Sequence, residues 1–166
     1  MMDVFVDIFL VNLAAAVGLM GAGWVFSLAK KNVTIADSLW GLGFVLIAWL
    51  TFFRADGVLF RKAMIAAMVT IWGLRLFIHL SLRNRGKGED PRYAAWRAQH
   101  GNSFWWVSLY KVFLVQALFQ WTIALGVQYG QVAATPAALT WADGLGAAIW
   151  TAGILIESAA DWQLAR

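Results

Sequence analysis

The sequence contains no cysteine. Disulfides, thiolate catalysis and cysteine-based zinc or iron–sulfur centres are thereby excluded. Its two histidines are too few for a His-rich metal site, and no metal is expected. Proline occurs twice, and charged residues make up 13% of the chain, against about 25% in soluble domains. What fills the space is apolar: 61% of the 166 residues are hydrophobic, and the mean hydropathy is +0.67. Eleven Trp and eleven Phe suit the aromatic belts of a bilayer interface. The apolar residues come in long runs, which predicts membrane helices rather than the short alternating strands of a β-barrel. The net charge of +4 does not indicate nucleic acid, because the basic residues gather at the ends of these runs.

Five runs come near the roughly 20 residues needed to cross a bilayer: Val4 to Ala29, Ile35 to Phe53, Leu59 to Leu82, Phe104 to Tyr129 and Leu139 to Leu164. The expected fold is an all-α, polytopic membrane helical bundle of about five spans. It forms one domain over 1–166, with a cytosolic loop at 83–103. The first run lacks a basic leader, shows Asp3 and Asp7 instead, and is too long for a signal peptide. Its small residues Ala14, Ala15, Ala16, Gly18, Gly21 and Gly23 suit close helix packing. With the N-terminus outside, Lys30, Lys31, Arg83, Arg85, Lys87, Arg92, Arg97 and Arg166 fall inside, and only Arg54, Arg61 and Lys62 fall outside. The positive-inside rule therefore predicts a multi-pass inner-membrane protein with its C-terminus in the cytoplasm.

The most informative stretch runs from Trp72 to Tyr93. Arg75, His79 and Arg83 recur every four residues, forming a polar stripe on an otherwise apolar helix. The stripe leads into a loop with Arg85, Lys87, Glu89, Asp90 and Arg92. Ionisable groups at membrane depth are costly and mark partners, cavities or ligands. The stripe reads as an anionic-ligand site, set against snorkelling of Arg83 and a structural bond for His79. The loop lacks P-loop and GxGxxG spacing. Glu89-Asp90-Pro91 could cap a short helix near Tyr93 to Gln99. Glu157 and Asp161, also four apart, either hold polar ligand groups or pair with Arg75, Arg83 or Lys30. Asp37 is either a helix N-terminal charge or part of the site. Gln116 and Gln120 share a face and are expected to tie helices together.

Three stretches carry a family likeness: Asn32-Val-Thr-Ile-Ala-Asp37-Ser-Leu-Trp40-Gly41, Arg75 to Tyr93 with its RNRGKGEDPRY run, and Glu157-Ser-Ala-Ala-Asp161-Trp-Gln-Leu-Ala-Arg166. The chain resembles bacterial membrane proteins related to steroid 5-alpha-reductases. That resemblance implies a membrane-embedded reductase passing hydride from NADPH to a C=C bond of a lipid, with a bilayer and a hydrophobic small molecule as partners. It implies Arg83, Arg85, Arg92, Tyr93, Glu157, Asp161 and Asp37 as cofactor-binding residues, with His79 and Arg75 nearer the reacting centre. Animal steroid reductases place an Asn and an Asp at the third stretch, where this chain has Glu157 and Asp161. Their Gln-Glu pair that polarises a steroid ketone has no counterpart near the second span. Relatives continue for about two further spans with an Arg-His-Pro-Asn-Tyr-like motif, so these residues are expected to be the N-terminal part of a longer protein. Little catalysis is expected unless missing C-terminal helices, or a partner supplying them, complete the pocket. Two alternatives stay open: an S-adenosylmethionine-dependent membrane methyltransferase of the same architecture, and a non-catalytic scaffold whose charges only pair among themselves.

Overall fold

The computed structural model describes residues 2–164, with side chains from Val4 onward. Arg166 and the side chain of Asp3 lie outside the described residues. Among those residues there are helices and no strand. α1 (Met2–Lys30), α2 (Ile35–Arg54) and α3 (Leu59–Asn84) are long apolar rods joined by short turns. α4 (Pro91–His100), α5 (Phe104–Ser108), a π-helical segment (Leu109–Leu114), α6 (Val115–Ile123) and α7 (Leu125–Val132) then follow almost without interruption. α8 (Trp141–Leu164) ends the described chain.

Four stretches are long and apolar enough to cross a membrane: Val4–Lys30, Ile35–Arg54, Leu59–Asn84 and Pro91–Val132. The protein is thus an all-helical membrane bundle. The fifth expected span does form a helix, α8, but it carries Asp143, Glu157 and Asp161 and is not among these four. The expected loop at 83–103 is mostly helical. Asp90 caps α4 by accepting the Arg92 N–H at 2.9 Å, and Pro91 occupies the first turn. The fourth expected span is not one uniform helix. The π segment widens it at Leu109–Leu114, and Ala124 (ψ 0°) separates α6 from α7.

α2 is the most enclosed of the four spans. α1 lays one stripe against it, with Ile8, Asn12, Ala16, Met20 and Ser27 all buried at helical spacing. Of the small residues in α1, Ala16 and Gly23 pack inward, whereas Ala14 and Gly18 face outward. α2 and α3 meet at Gly41 and Gly73, where a methyl on either would overlap the other's carbonyl oxygen. Small residues allow this approach, which lets backbones pack by dispersion where lipid removes the hydrophobic drive. Buried amides tie the rest together. Asn12 Nδ2 donates to Thr51 Oγ1 and to Gln128 Oε1, both at 2.8 Å. Gln120 Nε2 reaches the carbonyls of Leu39 (3.2 Å) and Trp40 (2.8 Å), and Gln131 Nε2 that of Ala48 (3.2 Å). Gln120 therefore links helices as expected, while Gln116 donates to the Tyr93 hydroxyl at 3.3 Å.

Candidate functional site

α3 and α8 run parallel and are joined by a ladder of opposite charges. Arg61 meets Asp143, Arg75 meets Glu157, and His79 meets Asp161. Each carboxylate follows its basic partner by 82 positions, so the two helices hold one register along their length. Asp143 is thus matched by Arg61, while Glu157 and Asp161 share the guanidinium of Arg75; these contacts lower the cost of carrying carboxylates into an apolar layer.

At one end of the ladder, Arg61 Nε donates to Asp143 Oδ1 at 2.8 Å. Its two terminal nitrogens reach the carbonyls of Pro136 (3.1 Å) and Ala138 (2.9 Å). Toward the other end, Arg75 is shared between two carboxylates one turn apart. It contacts Glu157 and donates to Asp161 Oδ2 at 2.6 Å. Trp72 Nε1–H donates to the other oxygen of Glu157 at 3.1 Å, and His79 Nε2 lies 3.6 Å from Asp161 Oδ1. Arg75 Nε is buried without an acceptor among the described residues.

Beside this cluster lies a cavity of about 460 Å³, lined by His79, Leu82, Arg83, Lys87, Asp161 and Leu164. Its volume is in the range of small-molecule sites, about 300–1,000 Å³. Arg83 and Lys87 form no ion pair among the described residues, and both line the cavity. The arrangement can therefore attract an anionic group through its cations and offer the Asp161 carboxylate as an acceptor.

The remaining candidate residues lie elsewhere. Arg85 leaves α3 in an extended conformation and lines a separate hollow between α1, α2 and α3. Arg92, Tyr93 and Asp37 form a cluster of their own. The Tyr93 hydroxyl donates to Asp37 Oδ1 at 2.5 Å, and Arg92 reaches Asp37 Oδ2 at 2.8 Å and Asp90 Oδ1 at 2.9 Å. Asp37 is thus both a first-turn acid of α2 and the acceptor that docks α4.

A clip holds the intervening loop. Arg97 grips Glu89 through two bonds of 2.7 Å, Glu89 accepts the Val33 N–H at 2.8 Å, and Thr34 Oγ1 accepts the Asp90 N–H at 2.8 Å. Burial pushes the Glu89 carboxyl up, but the Arg97 guanidinium and the Val33 amide outweigh it and hold it below the usual range. Asp90 is lowered chiefly by its bond to Arg92. Neither Trp72 nor Lys87 nor the Arg61–Asp143 pair was among the residues expected at the site. The signal for the ladder was present: the spacing of Arg61, Arg75 and His79 is repeated residue for residue by Asp143, Glu157 and Asp161.

Residues 23–166 match the family described as Protein of unknown function (DUF1295). The chain belongs to this family. The DUF1295 match spans α2, α3 and α8, and so takes in the ladder, the cavity beside it and the loop clip. No curated protein and no solved structure matches the chain.

Proposed function

We propose that this DUF1295 protein is a membrane-embedded, NAD(P)H-dependent reductase-like protein of the steroid 5-alpha-reductase kind, acting on a C=C bond of a lipid. The observation that carries this reading is the cavity at the α3–α8 end, with unpaired Arg83 and Lys87 at its rim and His79 and Asp161 in its wall. A scaffold whose charges only neutralise one another has no use for two cations held outside any ion pair and facing such a space.

The residues fit the phosphate and ribose portion of a dinucleotide. Arg83 and Lys87 would meet phosphate oxygens, and Asp161 would accept from a ribose hydroxyl, with Glu157 behind it tied to the same Arg75. When bound, a reduced nicotinamide supplies the hydride. The chain's own part is to orient that group, exclude water through the apolar walls at Leu82 and Leu164, and present His79 as a proton carrier beside Asp161. In this reading Arg85 and Arg92 lie outside the cofactor cavity. We place the protein in a bacterial inner membrane, N-terminus outside, so that Arg83 and Lys87 face the cytoplasm.

The test is NADPH binding to the purified chain, followed by energy transfer from tryptophan. Arg83→Gln with Lys87→Gln is expected to weaken binding roughly thirtyfold, at about 1 kcal/mol per lost cation. Binding unaffected by that double substitution would overturn the assignment. Binding of S-adenosylmethionine instead of NADPH would move the protein to methyl-transfer chemistry.

A further inference from the structure

A second cavity lies across the basic end of α3, on the side away from α8. It measures about 610 Å³ and is walled by α1, α2 and the turn that leaves α3. We infer that it binds the phosphate headgroup of an anionic lipid.

The walls divide into two chemistries. Phe26, Ile35 and Phe77 give an apolar side. Lys30 and Arg85 give two cations, neither ion-paired among the described residues, and Lys30 Nζ sits over the Phe26 ring at 5.7 Å. No carboxylate lines the space. Positive charge therefore stands here without internal compensation, next to surface that prefers acyl chains to water.

Neutral donors complete the lining. Ser38 is only 5% exposed, yet its hydroxyl forms no hydrogen bond among the described residues and belongs to the cavity wall. A serine within a helix ordinarily bonds back to a carbonyl one turn earlier, as Thr51, Thr70 and Ser158 do here. Ser38 leaves that option unused. Ser81 and the Asn84 amide line the same space and are likewise unpartnered. Two cations and several free donors against an apolar wall match a phosphate ester carried on a hydrocarbon tail. The two cavities share the end of α3, so a headgroup held here would bring its acyl chains alongside the helix that carries Arg75 and His79. The assignment does not depend on the identity of any cofactor in the other cavity.

The experiment is native mass spectrometry of the full chain in detergent with dioctanoyl phosphatidylglycerol, uncharged dioctanoylglycerol and inorganic phosphate as probes. The phosphatidylglycerol is expected to bind, and Lys30→Gln with Arg85→Gln to weaken it roughly thirtyfold. Both side chains are exposed, so the fold should survive. Ser38→Ala is expected to weaken binding severalfold without touching any charge. Arg54→Gln, at the opposite end of the bundle, should change nothing. Undiminished lipid binding by the double variant would overturn the proposal, as would equal binding of dioctanoylglycerol. Inorganic phosphate displacing the lipid at equal affinity would assign the site to a free anion and overturn the lipid claim.

Discussion

Replacing Arg75 with Met should uncouple α8 from α3. No residue of α8 is buried, so the helix is held by polar contacts rather than by an enclosed apolar face. Arg75 is the centre of those contacts because one guanidinium serves two carboxylates. Each charge pair attracts with about 4 kcal/mol at an effective dielectric near 20, before desolvation is deducted. Removing one partner of such a pair costs about 3–5 kcal/mol when it is buried. Arg75 is 21% exposed, Asp161 25% and Glu157 38%, so the lower figure applies. A loss of about 3 kcal/mol corresponds to roughly a hundredfold shift in the docking equilibrium. The penalty comes mostly from stranding two carboxylates. Adding Glu157→Gln and Asp161→Asn to Arg75→Met should therefore restore most of the stability, which a simple loss of packing would not allow. Because the chain has no native thiol, spin labels on cysteines placed at lipid-exposed Ile71 and Leu155 would report the α3–α8 distance cleanly. The wild type should give one narrow distribution, Arg75→Met a broad one, and the triple variant a narrow one again. A narrow distribution and unchanged unfolding temperature for Arg75→Met alone would refute the ladder as what docks α8.

Two further outcomes follow from other contacts. Gly41→Ala would drive a methyl into the Gly73 carbonyl, so it should cost about 1–3 kcal/mol by overpacking; an unchanged unfolding midpoint in detergent would count against the close α2–α3 approach. The loop clip should fail in acid. Glu89 and Asp90 titrate below their ordinary range in the folded protein, so their stabilisation is present above the ordinary carboxylate pKa near 4 and is lost as pH falls from there through the lowered values. Hydrogen exchange, corrected for its intrinsic pH dependence, should show the Val33 and Arg92 amides losing protection over that window. Protection persisting to pH 2 would contradict it.

The long apolar runs made the first three helices readable almost to the residue, since a bilayer-length apolar stretch has few other uses. The end of the third helix at Asn84 and the start of the fourth at Pro91 were less evident, yet Asp90-Pro91 carried its cap openly. The π segment and the separation of α6 from α7 at Ala124 were not legible, because hydropathy does not encode hydrogen-bond register. Within the candidate site, the pairing of Arg75 with Glu157 and Asp161 was one of several options in the sequence, and only the parallel course of α3 and α8 selects it. The separation of Arg83 from Arg85 depends on the backbone turning extended at Arg85, which sends neighbouring side chains into different cavities. The docking of Arg92 and Tyr93 on Asp37 joins segments far apart in the chain, and nothing local announces it.

The far end of the charge ladder sets the height of α8. Asp143 is fixed by Arg61 and by the Thr140 amide and hydroxyl, and Arg61 is fixed in turn by two carbonyls of the linker. A slide of α8 by one turn would leave Arg75 a carboxylate to meet but would tear Arg61 from its only one, so the helix has a single permitted height. The height is therefore set at one end of α8 and felt at the other: Asp161 meets Arg75 and His79 at the cavity because Asp143 is locked 18 residues earlier, about 27 Å along the helix.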